Sequence, residues 1–289
     1  LGKVAIGEMY PCLQGEGKFI GIPHLLIRVS GCKLRCQFAE SFCDTPFASW
    51  APEKGKFTLE DVHTFYKKYP QIKYTMITGG GPTAHADLLI ELCKIGAYYD
   101  HWITIETEGS EFVETEADFI SLSPKLSNST PRPGTMNPYT GKEVTEANKR
   151  QHEKWRTNYD AMKQLLDYHD FHQLKPVISN KTDLEEFKEL QNILSVKNEN
   201  VYLMPEGLNR EQLTRRRQWL SEICIEEGYN FTDRLHIITQ KIFCFYIWGV
   251  GNIFFLIYAL LIQAMPQVAM SIFVLGMNVY GWKQWSKGV

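Results

Sequence analysis

Short apolar runs, each ending in polar, glycine or proline residues, recur through the first 240 residues with longer amphipathic stretches between them. "LLIRVSG", "YTMITGGGP", "WITIETEG", "FISLSPK", "HQLKPVIS" and "NVYLMPEG" read as strands. "TLEDVHTFYKKYP", with Thr58 as its N-cap, "ADLLIELCKIG" and "DLEEFKELQNIL" carry apolar residues at helical spacing. This alternation leaves few folds open: a parallel sheet covered by helices, either open or curled into a barrel. In such folds chemistry gathers at the carboxyl ends of the strands. The residues that end these strands are Gly, Cys, Thr, Glu, Ser and Lys, types that react or bind rather than pack. No internal repeat is visible, and the polar, proline-rich "SNSTPRPGTMNPYTGKEV" (127–144) reads as a loop within the domain.

The chain's 289 residues leave ample scope for a hydrophobic core. A net charge of −2 gives no global basic field of the kind that tracks nucleic acid. The seven cysteines are an odd number and mostly scattered, which predicts a reducing compartment rather than a disulfide framework. The polar, glycine-punctuated opening "LGKVAIGEMYPCLQGEG" is unlike a secretory signal, so the expectation is a cytoplasmic catalytic domain.

Three of those cysteines, Cys32, Cys36 and Cys43, fall within twelve residues. A structural zinc site takes four ligands and a disulfide takes two. Three soft thiolates at the mouth of a sheet suit a four-iron cluster whose fourth iron stays open to a small molecule. Zinc with a distant fourth ligand, or inert buried thiols, remain open on spacing alone.

Near residue 240 the composition breaks. Ile242 to Ile262 contains no charge, "QAMPQ" follows, and "VAMSIFVLGMNVYGW" precedes Lys283. The first run is long enough to cross a bilayer, and the second becomes so if Trp282 and Trp285 sit in the interface. The expectation is a catalytic domain over residues 1–240 and a two-helix transmembrane hairpin over 241–289, with a buried core helix pair as the other reading. Lys241, Lys283 and Lys287 flank the two runs and predict that both ends lie inside.

The motifs together carry a resemblance. "EMYPCLQGEGKFIGIPHLLIRVSGCKLRC", "CDTPF", "ITGGGP", "SLSPKLSNS" and "RLHIIT" occur in the order of the radical S-adenosylmethionine (SAM) enzymes. Within those enzymes the chain resembles the 7-carboxy-7-deazaguanine synthases, over roughly residues 4 to 239. The family's cluster loop is C-x3-C-x2-C, whereas this one is C-x3-C-x6-C. Many radical SAM enzymes have Glu where Gly81 stands, and the family chain ends soon after the segment similar to "LHIIT".

The resemblance implies a partial, incomplete TIM-type β/α barrel, to which the tail adds a C-terminal helical hairpin. It implies a [4Fe-4S] cluster held by Cys32, Cys36 and Cys43, with SAM chelating the fourth iron. One electron, from a donor such as flavodoxin or ferredoxin, would cleave SAM to a 5′-deoxyadenosyl radical. That radical would take hydrogen from 6-carboxy-5,6,7,8-tetrahydropterin, whose ring contracts to 7-carboxy-7-deazaguanine with loss of ammonia, a step of queuosine and 7-deazapurine biosynthesis. The carried-over SAM contacts are Gly80, Glu106, Ser123, Pro124, Lys125, Met204 and Pro205. The substrate contacts are Leu13, Gln14, Gly15, Glu16, Arg28 and Thr78. Arg28 suits a carboxylate through its bidentate fork, and Glu16 suits the pterin amino and ring N–H groups. Thr45, with Asp44 beside it, corresponds to the magnesium (Mg2+) ligand. Without the motifs, Arg28 would read as a surface salt bridge, Lys125 as a solvated lysine and Met204 as core. The implied partners are a small pterin and a second copy of the chain as a homodimer, with no direct nucleic acid, and the tail adds a membrane. The alternative is a membrane protein with a vestigial cluster-binding domain, since "NVYGWKQW" weakly resembles the last helices of small nicotinamide-riboside-type transporters.

Overall fold

The apolar runs do form strands. The computed structural model of the chain describes residues 2–39, 41–235, 237, 253–258 and 260–287. Six strands make one sheet in chain order: β1 (Ile6–Leu13), β2 (Pro23–Val29), β3 (Tyr74–Gly79), β4 (Trp102–Thr107), β5 (Phe119–Leu122) and β6 (His172–Leu174). β1 runs antiparallel to β2, and every other neighbouring pair is parallel. A second, parallel sheet contains β7 (Val177–Ile178), β8 (Tyr202–Pro205) and β9 (Asn230–Phe231), and a parallel bridge from Leu174 to Val201 leads into it. Strands laid down in chain order with helical crossovers are how a β/α barrel winds, and here the winding is incomplete.

The crossovers are α1 (Leu59–Lys68), α2 (Ala86–Tyr98), α3 (Glu146–Arg156), α4 (Tyr159–Tyr168), α5 (Lys181–Leu194) and α6 (Arg210–Glu227). Thr58 caps α1 as expected: its side chain accepts from the Asp61 amide in a capping box. The strand period of two then sorts the residues. Leu25, Ile27, Ile77, Ile103, Ile105, Ile120 and Leu174 point one way and pack with Val62, Leu92, Met162 and Phe187 of the helices in one buried cluster. The alternate residues face inward in layers. His24, Tyr74, Trp102 and Phe119 form an aromatic floor, with the Phe19 ring centroid 4.9 Å from that of Phe119. Leu26, Met76 and Thr104 lie above it, and a polar row lies above them.

Three expectations need revision. "HQLKPVIS" is two strands, because Pro176 has no N–H to continue the ladder. The segment "RLHIIT" (234–239), which the resemblance implies is a closing strand, forms none among the described residues: the last strand there is β9, and Leu235 and Ile237 have helical backbone. The membrane hairpin also lacks support. Of the first apolar run, 242–252 lie outside the described residues, while 253–258 are helical. After a turn at Ile262 and Gln263, a helix spans Met265–Lys287. Glutamine, serine, asparagine and lysine interrupt its apolar side chains, and no helix among the described residues is long and apolar enough to cross a membrane. The structure divides into two compact units, Leu1–Glu206 with Arg216–Asp233, and Gly207–Arg215 with Arg234–Val289.

Candidate active site at the carboxyl ends of the strands

The polar row is built by register. Glu8 pairs with Arg28 across β1 and β2, and Arg28 with Thr78 across β2 and β3. Glu106 pairs with Ser121, and Ser121 with Gln173. The Thr78 hydroxyl donates to Glu106 Oε2 at 3.2 Å and joins the two halves. Six strands thus each place one polar side chain at the same level of one face, toward the carboxyl ends of the parallel strands and the amino end of antiparallel β1.

The loop after β1 packs against this row and the floor below it. Gly17 N–H donates to Thr232 Oγ1 at 2.6 Å, and Lys18 N–H donates to Gln173 Oε1 at 2.9 Å. Gly17 has φ +72°, and a Cβ there would lie 2.3 Å from Gln173 Nε2, so this position needs glycine twice over. Gln14, buried, folds its carbonyl back onto the Gly15 N–H at 2.7 Å, while Leu13 stays exposed. Glu16 reaches a residue that the motifs did not signal: Lys175, whose ammonium lies 2.6 Å from Glu16 Oε2 and 3.0 Å from Glu106 Oε1. Lys175 is only 3% exposed. Burial alone would lower its pKa, but the Glu106 and Glu16 carboxylates outweigh that and hold it above its ordinary value. One buried cation between two carboxylates leaves a site with surplus acceptors, the complement of a ring rich in N–H donors. Glu106, expected at the SAM ribose, therefore sits with Thr78, Lys175 and Glu16. Arg28 Nε donates to Glu8 Oε2 at 2.7 Å, and the Arg28 guanidinium lies 5.9 Å from the Phe47 ring centre.

The cysteine loop follows β2. Its extra length is taken up by a small hairpin: Gln37 and Phe42 form an antiparallel bridge, and Phe38 N–H donates to the Ser41 carbonyl at 2.7 Å. At the hairpin's base Cys43 N–H donates to the Cys36 carbonyl at 3.2 Å, so the longer spacing still brings these two cysteines side by side. The loop leans on the segment that reads as polar coil and on α3. Gln37 N–H donates to the Ser129 carbonyl, and Arg132 N–H donates to Gln37 Oε1. His152 of α3, fully buried, accepts from Arg35 N–H on Nδ1 at 3.1 Å, which leaves its Nε2–H to face Ser129 Oγ at 3.1 Å. Trp50 Nε1–H donates to the Cys36 carbonyl at 3.0 Å.

Burial pushes all three thiols of the loop up from their ordinary pKa, and each lies within electrostatic reach of another. Deprotonated, they need a compensating positive charge, which iron supplies. Among the described residues no three His, Cys, Asp or Glu side chains converge as on a single metal ion. A cluster takes its cysteines on separate irons, so three neighbouring thiols, Cys36 buried and Cys32 and Cys43 half-buried, fit it without such convergence. The Thr45 hydroxyl lies 3.5 Å from Cys43 Sγ and 3.4 Å from Asp44 Oδ1.

The glycine turn after β3 packs directly against this loop. Gly80 N–H donates to the Val29 carbonyl and Gly81 N–H to the Gly31 carbonyl. A Cβ on Gly80 would lie 2.1 Å from the Ala48 carbonyl oxygen and 2.3 Å from that of Gly31, so packing of the chain on itself already requires this glycine. Lys125 Nζ donates to Ser123 Oγ at 2.6 Å and to the Ser123 carbonyl at 2.8 Å, a closed turn after β5 that contains Pro124. Met204 and Pro205 end β8, and Met204 is buried. His152, Gln37 and Lys175 carry contacts that periodicity could not reveal, because each depends on partners far away in the chain.

No protein-family model matches the chain. Curated relatives do. The chain is 36% identical over 235 residues to the 7-carboxy-7-deazaguanine synthase of Rhodopirellula baltica, covering 81% of this chain and 86% of that one. To the 7-carboxy-7-deazaguanine synthase of Halobacterium salinarum it is 33% identical over 238 residues, covering 80% and 88%. Among solved structures, QueE from Escherichia coli has a TM-score of 0.55 at 21% identity, over 81% of this chain and 95% of that one. At that identity the likeness is one of fold, a mixed α/β fold around a parallel sheet.

Proposed function

The chain belongs to the 7-carboxy-7-deazaguanine synthase family, and on that premise we propose that it is a radical SAM lyase. Its substrate is 6-carboxy-5,6,7,8-tetrahydropterin and its products are 7-carboxy-7-deazaguanine and ammonia. The observation that supports the assignment is the buried Lys175 held between Glu16 and Glu106, in a chain whose loop after β2 gathers three neighbouring cysteines. Cys32, Cys36 and Cys43 would hold the [4Fe-4S] cluster, which with SAM bound supplies the one-electron chemistry that abstracts hydrogen.

The chain's own residues bind, orient and exclude water. Glu16 and Glu106 accept from the pterin's amino and ring N–H groups, and Gln14 and Thr78 fix the Glu106 carboxylate by donating to it. Lys175, held above its ordinary pKa by the two carboxylates, is the cation between them. Arg28 is assigned the substrate carboxylate, with Glu8 fixing its plane. The Ser123–Pro124–Lys125 turn, Gly80, Met204 and Pro205 line the SAM side. The support for a magnesium ion at Thr45 is the adjacent Asp44 carboxylate. The reductant is a one-electron donor of the flavodoxin or ferredoxin class.

The test is anaerobic turnover of the carboxytetrahydropterin with SAM, magnesium and a reductant. Reconstituted protein should be brown and form the deazaguanine product. Cys32→Ala, Cys36→Ala and Cys43→Ala should each abolish colour and product, while Cys93→Ala and Cys224→Ala, at buried thiols outside the loop, should leave both largely intact. Cluster colour without product would retain the radical SAM chemistry and reject this substrate.

A further inference from the structure

One buried carboxylate near the cysteine loop has no part in the site as built so far. Glu108 follows β4 and is 5% exposed. Ser110 Oγ donates to its Oε1 at 2.6 Å, and Thr107 Oγ1 donates to its Oε2 at 3.4 Å. Cys32, Cys36 and the Lys125 ammonium all feel its charge, so the cysteine loop and the SPK turn are both within its electrostatic reach. It also fills a space that another residue left open. A Cβ built on Gly81 would lie 2.6 Å from Glu108 Oε1 and 2.9 Å from Oε2. A side chain at 81 and the Glu108 carboxylate cannot coexist as they stand. The turn after β3 therefore has a bare glycine where a carboxylate from the next strand enters.

An isolated buried carboxylate costs several kcal/mol unless a cation or several donors meet it, by about that order in protein interiors. Two hydroxyls and its own backbone N–H meet it and the Lys125 ammonium lies within electrostatic reach, while neighbouring thiols, once ionised for iron, would repel it. N–H donors brought in with the cofactor add to those that already meet the carboxylate. SAM carries them on its α-amino nitrogen, on the amino-acid end that reaches the cluster. We propose that Glu108 is the acceptor for the SAM α-amino N–H, entering from β4 through the space that glycine leaves at 81. Ser110 and Thr107 hold the carboxylate's orientation, so the acceptor is fixed before SAM arrives. This rests on the radical SAM reading of the site.

The test separates the two ideas. Wild-type protein that takes up iron and binds SAM anaerobically upholds the site reading, whatever Glu108 does. Glu108→Gln, nearly isosteric, should keep its iron and weaken SAM binding by about tenfold to a hundredfold, the span for losing a charge-assisted hydrogen bond. A SAM analogue lacking the α-amino group should bind wild type and Glu108→Gln equally, because the interaction that the substitution removes is already gone. Gly81→Glu alone should impair SAM binding by crowding Glu108, and Gly81→Glu with Glu108→Ser should recover it. Unchanged SAM affinity in Glu108→Gln with full iron overturns the assignment. So does loss of iron in that variant, which would make Glu108 a support of the cysteine loop.

Discussion

Lys175 shows what a single side chain is worth when it is buried between opposite charges. Lys175→Met leaves Glu16 and Glu106 facing each other without a counter-ion, and breaking a buried pair in this way costs about 3–5 kcal/mol. The denaturant midpoint should fall accordingly, and adding Glu16→Gln should restore part of it. A midpoint unchanged by the first substitution would show that the two carboxylates are solvated rather than buried. His152 makes the opposite kind of contribution, as a neutral group. Burial holds its pKa down at about 4, against an ordinary value of about 6.5. A depressed pKa adds stability that is complete above the unfolded value and lost as pH falls toward the folded one. Its contribution, about 3 kcal/mol, should therefore fade between about pH 6.5 and 4. The stability difference between wild type and His152→Ala, measured by urea at a series of pH values, should shrink across that window. A difference that stays flat with pH would mean the imidazole is not titrating there.

Among the elements, the small hairpin in the cysteine loop decides whether an unusual spacing matters. Its closing pair, Gln37 and Phe42, sets the Cys36–Cys43 approach, while among the described residues beyond them Arg132 Nη2 donates to the Phe38 carbonyl and Ser41 Oγ donates to Glu206 Oε1. Deleting residues 38–41 should therefore leave iron content close to that of wild type; a colourless product would assign the tip a structural part in cluster assembly. The same comparison shows what the sequence could and could not disclose. α1, α2 and α5 were legible because each has one apolar face and α1 and α5 have capping side chains. β2 to β5 were legible as apolar runs with clear ends. α3 was not, since it is strongly polar and buries only His152, so there is no apolar stripe to find. β1 was missed for a related reason: as an edge strand it mixes exposed and half-buried residues and tolerates Pro11. The three cysteines and the recognition loop could be picked out by motif, whereas Glu108 and Lys175 acquire meaning only from partners that folding brings to them.

At the scale of the whole chain, all the residues assigned to chemistry lie within the unit Leu1–Glu206 with Arg216–Asp233. The tail instead exposes Phe254, Leu261, Met265 and Phe273. Truncation after Gln240 removes those apolar side chains and none of the assigned site. The shortened protein should take up iron and turn over as the full chain does, with less self-association on gel filtration. Loss of iron uptake would place the tail among the supports of the catalytic unit. The bond from Gly17 to Thr232 has a further consequence for how the protein comes to exist. Its two ends are 215 residues apart in the chain. At about 5–20 residues per second, a ribosome that has made the recognition loop needs on the order of ten to forty seconds to make its anchor. During that interval the cysteines, the glycine turn and the loop have all been synthesised, yet the loop has nothing to close against. A nascent chain that stalls before residue 232 thus carries the cysteines, the glycine turn and the SPK turn, while its recognition loop still lacks the Thr232 anchor.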